Sequence, residues 1–179
     1  MIIRRFLRYF FAPLFFLALL WLGYFKLYGN FHQVNSQLYR SAQLYSFNLP
    51  YYIDEYHFNS IINLRGASDE SWYKDEIAIS KEHNITHYDF GFGDRTKQSV
   101  ETMNKLVKLM KEAKKPLLIH CKAGADRTSL ASALYLYSTH DKENPQEAIS
   151  IIYGHFPWLG SKTKAMDESF LLYQKNRRP

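Results

Sequence analysis

The chain has 179 residues, a formal net charge of +6 and a pI near 9.3. Its single cysteine excludes an intramolecular disulfide framework, and its length allows one well-buried core beside an apolar N-terminal segment. The basic residues are scattered and no nucleic-acid reader motif is present, so the charge suits anionic substrates or an anionic membrane surface rather than nucleic acid.

From Tyr9 to Phe25 no residue is charged, and 10–22 is almost wholly apolar. With a snorkelling Lys26 and the Tyr28-Gly29 end, this run just suffices to cross a hydrocarbon core. A secretory signal peptide is the alternative. The small residues of a cleavage site are missing after Trp21, where Tyr24, Phe25, Leu27 and Tyr28 are bulky, which favours an uncleaved anchor. A buried soluble helix is the remaining reading. Arg4, Arg5 and Arg8 precede the run, against Lys26 and the more distant Arg40 after it, so the positive-inside rule places the N-terminus in the cytoplasm. The rest of the chain is then expected in the periplasm of a bacterium, or in a lumenal or external space. Residues 1–29 are read as cytoplasmic flank and anchor helix, and 30–179 as one folded domain.

Beyond the anchor, strands are expected at 37–43, 61–64, 85–90 and 116–119. Helices are expected at 50–57, 70–82 and 98–114, then from Asp126 or Arg127 through 136, and again at 145–153 and 161–174. In the third of these, Val100, Met103, Leu106, Val107 and Met110 recur at helical spacing, and Lys105, Lys108, Lys111, Lys114 and Lys115 read as a solvated face. Strands alternating with helices imply an α/β fold with a mostly parallel central sheet flanked by helices. No internal repeat or low-complexity linker divides it.

The stretch from His120 to Thr128 carries the chemistry. It sets the only cysteine, Cys121, six residues before Arg127, between an apolar strand and a helix start. Backbone N–H groups of Lys122, Ala123, Gly124, Ala125, Asp126 and Arg127, curled at a helix N-terminus, form a nest for phosphate oxygens. Gly124 lets the loop curl without a Cβ clash. Arg127 adds a planar, permanently charged fork that can hold two phosphate oxygens. The same positive field favours the Cys121 thiolate, a nucleophile. His120 can orient the sulfur, and the Thr128 hydroxyl can hydrogen-bond it as it leaves a covalent intermediate. His87, His140 and His155 look isolated, with no paired metal site, and no cofactor is called for.

His-Cys-x-x-Gly-x-x-Arg-Thr resembles the signature loop of the cysteine-dependent protein tyrosine and dual-specificity phosphatases, a superfamily that includes phosphoinositide phosphatases. The resemblance covers roughly residues 35 to 175. It implies that Cys121 attacks phosphorus, that Arg127 clamps the phosphoryl group, and that an aspartic acid on an upstream loop protonates the leaving oxygen. Asp94, on the loop 91–96 after the strand at 85–90, is the candidate general acid and later base. Asp89 competes, but its place in the strand suggests an orienting role. The acid upstream and the compact domain are similar to the dual-specificity branch. Arg40-Ser41-Ala42 and Asn63-Leu64-Arg65 look like elements of its small bacterial and fungal members, and Asp126 before the arginine is similar to lipid and inositol phosphate phosphatases. Lipid-directed members often have lysine at the position of Ala125, and glycine commonly follows the Arg-Thr pair where this chain has Ser129.

The resulting expectation is a membrane-anchored, metal-independent phosphomonoesterase. Its substrates would be phosphotyrosine, phosphoserine or phosphothreonine proteins, or membrane lipid phosphates. A catalytically silent module that reads phosphate at the membrane is the alternative.

Overall fold

The computed structural model of the protein describes residues 2–141, 144–158 and 160–177, with side chains left out at 2–8, 18, 21, 22 and 24–26. Helix α1 (Ile2–Tyr28) is followed by strands β1 (His32–Gln33) and β2 (Leu38–Ser41), helix α2 (Leu49–Tyr56), strand β3 (Ser60–Asn63), helix α3 (Ser71–Glu82) and strand β4 (Thr86–Asp89). Helix α4 (Val100–Glu112), strand β5 (Leu117–His120), helix α5 (Asp126–Thr139) and helix α6 (Ala165–Arg177) complete it. The sheet runs β1-β2-β5-β3-β4, parallel throughout except for β1, which pairs antiparallel with β2. The α/β expectation holds. The short edge strand β1 was not expected, because two residues carry no alternation to read.

Side chains alternate across the sheet and define two apolar layers. Leu38, Ile62, Leu117 and Ile119 face α4, α5 and α6, meeting Met103, Leu106, Met110, Leu130, Leu134 and Phe170. Tyr39, Ile61 and Leu118 face α2 and α3, meeting Leu49, Tyr52, Ile53 and Ile79. Every residue of α5 from Thr128 to Leu136 is buried, so this helix is central rather than a surface element. Its packing fixes its N-terminus, and with it the loop after β5.

Because β2, β5, β3 and β4 are mutually parallel, their C-terminal ends lie along one edge. Ser41 pairs with His120, His120 with Asn63, and Asn63 with Asp89, forming one row across the sheet. The chain segments leaving these strands therefore converge, and in open α/β sheets ligands bind at this edge.

Two regions differ from expectation. Residues 145–153 form only short 3-10 turns, Pro145–Ala148 and Ile151–Tyr153, instead of a helix. The Asn144 and Ser150 side chains each accept a nearby backbone N–H and restart the chain, and Gly154 ends it at φ 83°. Residues 161–164 similarly form a capped 3-10 turn before α6. The expected anchor is not established by the structure. α1 is a continuous helix of 27 residues, but among the described residues no helix is long and apolar enough to cross a membrane, and several side chains of the apolar run lie outside the described residues.

Candidate active site

The loop from Cys121 to Asp126 leaves the central strand β5 and ends on the first residue of α5. Gly124 sits at φ +67°, and a Cβ there would come within 2.6 Å of the Ala42 nitrogen, so the loop packs directly on the chain leaving β2. Three successive carbonyls are held outward. Lys122 O accepts from Gln43 N at 3.3 Å, Ala123 O from Asn30 Nδ2 at 3.0 Å, and Gly124 O from Arg40 Nη2 at 2.8 Å. In a planar trans peptide the N–H points opposite to the C=O. The amides of Ala123, Gly124 and Ala125 are thereby turned the other way, toward the inside of the curl.

Arg40 is 1% exposed and makes three polar contacts, to Gly124 O, Ala148 O at 2.9 Å and Ser129 Oγ at 2.8 Å, while lying 3.9 Å from the Tyr153 ring centre. Burial pulls its pKa down to about 10, against the opposing influence of Tyr153 and Cys121, so it remains charged at neutral pH. A buried cation bonded only to neutral oxygens beneath the loop adds positive potential where an anion would sit. Cys121 itself is 3% exposed.

Arg127 lies half-buried on the first turn of α5. Its Nη1 donates to Leu64 O at 3.1 Å and more weakly to Phe92 O at 3.4 Å, tying it to the segments that leave β3 and β4. Both acceptors are neutral carbonyls, so the guanidinium keeps its charge for an anion. The Thr128 hydroxyl oxygen is buried without a hydrogen-bond partner among the described residues. Lys122 and Ala123 are exposed at the mouth of the loop.

Behind the cysteine lies a charged cluster centred on Glu76 of α3, which is 3% exposed. Its Oε1 receives His120 Nε2 at 3.1 Å and His87 Nε2 at 2.8 Å, and Gln43 Nε2 donates to Oε2 at 2.6 Å. Burial pushes this carboxyl up, but the charges and hydrogen bonds of the two histidines outweigh it and hold the group far below the usual range. The acid fixes the ring orientation of His120, next to Cys121. Gln43 also accepts from Arg65 Nη1 at 2.9 Å, and Arg65 stacks 3.4 Å above Trp72. His87 is not isolated, contrary to expectation. Glu76 carried a readable signal as an acid on the apolar stripe of α3, at the Trp72, Glu76, Ile79 spacing.

His155 is likewise not isolated. It is 1% exposed, with Nδ1 at 2.7 Å from Asp126 and Nε2 at 2.9 Å from Asp167 of α6. Burial disfavours its charge, but the two carboxylates prevail and raise its pKa. The Asp126 side chain therefore turns toward His155, and what Asp126 offers an anion is its backbone amide at the start of α5. Among the described residues no group of three or more His, Cys, Asp or Glu side chains is placed to hold a metal ion.

Asp94 lies half-buried on the loop between β4 and α4, which Gln98 braces by donating to Gly93 O at 2.9 Å and Thr96 O at 2.6 Å. Two residues earlier, Phe92 O meets Arg127. Asp89 has both oxygens engaged, by Asn63 Nδ2 at 2.9 Å and the Tyr73 hydroxyl at 2.5 Å, and the latter bond pushes the Tyr73 pKa up to about 12. An acid so tied suits an orienting role, which leaves Asp94 as the candidate proton donor.

Residues 28–134, more than half of the chain, match the model of the tyrosine phosphatase family. The chain belongs to this family. Among solved structures, a putative phosphatase from Shewanella putrefaciens CN-32 aligns with this phosphatase at a TM-score of 0.62 and 17% identity, covering 81% of this chain and 93% of that one. P. aeruginosa TpbA in complex with pTyr aligns at 0.60 and 17%, covering 81% and 90%. PTPMT1 in complex with PI(5)P aligns at 0.56 and 15%, covering 83% and 99%. At these identities the likeness shows the fold alone. No curated protein matches the phosphatase by sequence.

Proposed function

We propose that this phosphatase hydrolyses phosphomonoesters through a phosphocysteine intermediate, with Cys121 as the nucleophile. The observation that carries the reading is the outward hold on the Lys122, Ala123 and Gly124 carbonyls, which presents the following amides to an anion beside Arg127. The Cys121 thiolate attacks phosphorus, a P–S bond forms, and the ester P–O bond breaks as Asp94 gives its proton to the leaving oxygen. Asp94, now a carboxylate, takes a proton from water. The resulting hydroxide attacks phosphorus, the P–S bond breaks, and inorganic phosphate departs with the thiolate restored. Loop amides and Arg127 hold the equatorial oxygens through both steps. Thr128, whose buried hydroxyl oxygen has no other partner among the described residues, hydrogen-bonds the departing sulfur, and His120 holds its orientation.

Substrates are phosphotyrosine, phosphoserine or phosphothreonine proteins, or membrane lipid phosphates. α1 anchors the protein in a membrane with residues 30–179 on the non-cytoplasmic side. Support for the anchor is the row of apolar side chains that α1 leaves exposed, including Phe11, Phe15, Phe16 and Leu17.

The test is acid-quench trapping of a phosphoenzyme from a soluble aryl phosphate, followed by phosphate release from phosphopeptides and phosphoinositides with a chelator present. A burst of phosphoenzyme that is absent in Cys121→Ser is expected. Binding of phosphate analogues without any burst from the folded protein would instead favour a silent phosphate-reading module.

A further inference from the structure

Two separate stretches of chain that carry exposed apolar side chains are tied by hydrogen bonds to the C-terminal end of α1 or to Asn30 just beyond it. On one side, Asn48 Nδ2 donates to Leu27 O at 3.1 Å and the Tyr52 hydroxyl to Tyr28 O at 2.9 Å, holding the start of α2 against the helix end. Tyr45, Phe47 and Tyr51 project there, 42%, 65% and 62% exposed, with the first two rings stacked at 5.9 Å. On the other side, Asn30 Nδ2 donates to Tyr153 O at 2.9 Å, which brings the turn Ile151–Tyr153 within two residues of the end of α1. Ile151, Ile152 and Trp158 are 61%, 73% and 66% exposed, and Trp158 stacks on Phe156 at 5.9 Å.

Large apolar side chains left in water at this density mark a surface that meets something else. The position selects the partner. Aromatic residues gathered where an apolar helix ends have the composition of a membrane interface, where amphipathic rings lie at headgroup level. The exposed Lys162 and Lys164, which follow the Trp158 segment, suit anionic headgroups. A protein partner would have to cover both stretches while sharing the end of α1 with the bilayer.

We propose that these side chains form a collar that seats the catalytic domain on the bilayer and holds the signature loop at headgroup depth. The proposal rests on the membrane-anchor reading of α1. The link to the loop is direct: the same Asn30 amide that holds Tyr153 O also holds Ala123 O of the signature loop. Seating the collar thus places the phosphate pocket beside the lipid surface rather than out in bulk water.

The full chain is reconstituted in vesicles of phosphatidylcholine and phosphatidylglycerol, in which the phosphatidylcholine carries bromines near the glycerol end of its acyl chains. Tryptophan emission of the native chain is compared with that of Trp158→Phe, a change at an exposed site outside the catalytic machinery. Trp21 and Trp72 are common to both and cancel in the difference. The expected result is a quenched Trp158 component, lost in Trp158→Phe. Equal quenching in the two proteins, with both still floating with the vesicles, overturns the collar and leaves the anchor standing. Failure of the native chain to float overturns the anchor and the collar together. As a second variant, Ile152→Asp is expected to lose several-fold in turnover of a phosphoinositide carried in the vesicles while keeping its rate on soluble p-nitrophenyl phosphate. An unchanged ratio of the two rates counts against the collar, and absence of turnover on both in the native chain would strike the phosphatase reading instead.

Discussion

Arg40 shows how much of the site rests on one side chain outside the signature loop. It is the donor to Gly124 O, and lysine could not replace it, because a single ammonium lacks the planar fork that reaches Ala148 O, Gly124 O and Ser129 Oγ together. Arg40→Met leaves two buried carbonyls without their donor, at roughly 1–3 kcal/mol each. Denaturant unfolding should register a loss of this order, and turnover of a soluble aryl phosphate should fall with it as Gly124 O loses its donor and the loop its hold. Turnover at the native rate in a folded but less stable variant would make Arg40 purely structural. The two aspartates separate in the same manner. Asp94→Asn should slow hydrolysis of esters with poor leaving groups by about 10²–10⁴-fold and affect good leaving groups far less. Asp89→Asn should act instead on stability, because its carboxylate holds Asn63 and Tyr73. If Asp89→Asn showed the leaving-group dependence, the assignment would be reversed. The signature residues were legible because their spacing encodes a local structure. Asn30 and Arg40 were not legible as parts of a site, since they reach it across 93 and 84 positions of chain, to Ala123 and Gly124, and Glu76, readable as an acid on an apolar stripe, gave no sign of its partner His120, 44 positions away.

Helix α5 owes its position to burial on all sides, and α6 is joined to it by the ion pairs of His155. His155 bridges Asp126, at the first turn of α5, and Asp167, in the first turn of α6. Its folded pKa lies above the ordinary value of 6.5. The native state then holds a proton that the unfolded chain releases, so this contribution is fully present below about pH 6.5 and is lost as pH rises through the higher folded value. The stability difference between the native chain and His155→Gln should shrink over that interval. A difference that is flat from acid to mildly alkaline pH would show that His155 is neutral in its pocket. At the centre of the same layer, Phe170→Ala should cost about 3–5 kcal/mol, read by chemical denaturation. Strands β2, β3, β4 and β5 and helices α3 and α4 were legible from periodicity to within a residue or two, whereas α5 runs three residues further than expected and α6 starts four residues later and ends three later. The 3-10 turns at 145–153 were not, because apolar Ile149, Ile151 and Ile152 imitate a helix while Ser150 and Gly154 break it through local hydrogen bonding and backbone geometry.

At the scale of the whole molecule, parallel strands bring four segments distant in sequence to one edge, and the helix that precedes them ends against that edge through Gly29 and Asn30. Ala42 N donates to Gly29 O at 2.6 Å, and Asn30 reaches the signature loop, so α1 and the pocket are mechanically continuous. Orientation of α1 in a membrane would therefore decide which compartment the pocket serves. Three arginines before the apolar run, Arg4, Arg5 and Arg8, oppose Lys26 immediately after it. Retaining them on the cytoplasmic side puts the carboxyl end of the chain outside. A C-terminal reporter that folds only in an oxidising, non-cytoplasmic space should be active on the full chain expressed in a bacterium. Replacing Arg4, Arg5 and Arg8 with glutamate should remove the bias and lower reporter activity at equal protein level. Carboxylates contribute little to retention, so the remaining Lys26 would then set the cytoplasmic side. A reporter silent on the native chain, in a protein still recovered with membranes, would place the phosphatase domain in the cytoplasm and leave the chemistry of Cys121, Arg127 and Asp94 untouched.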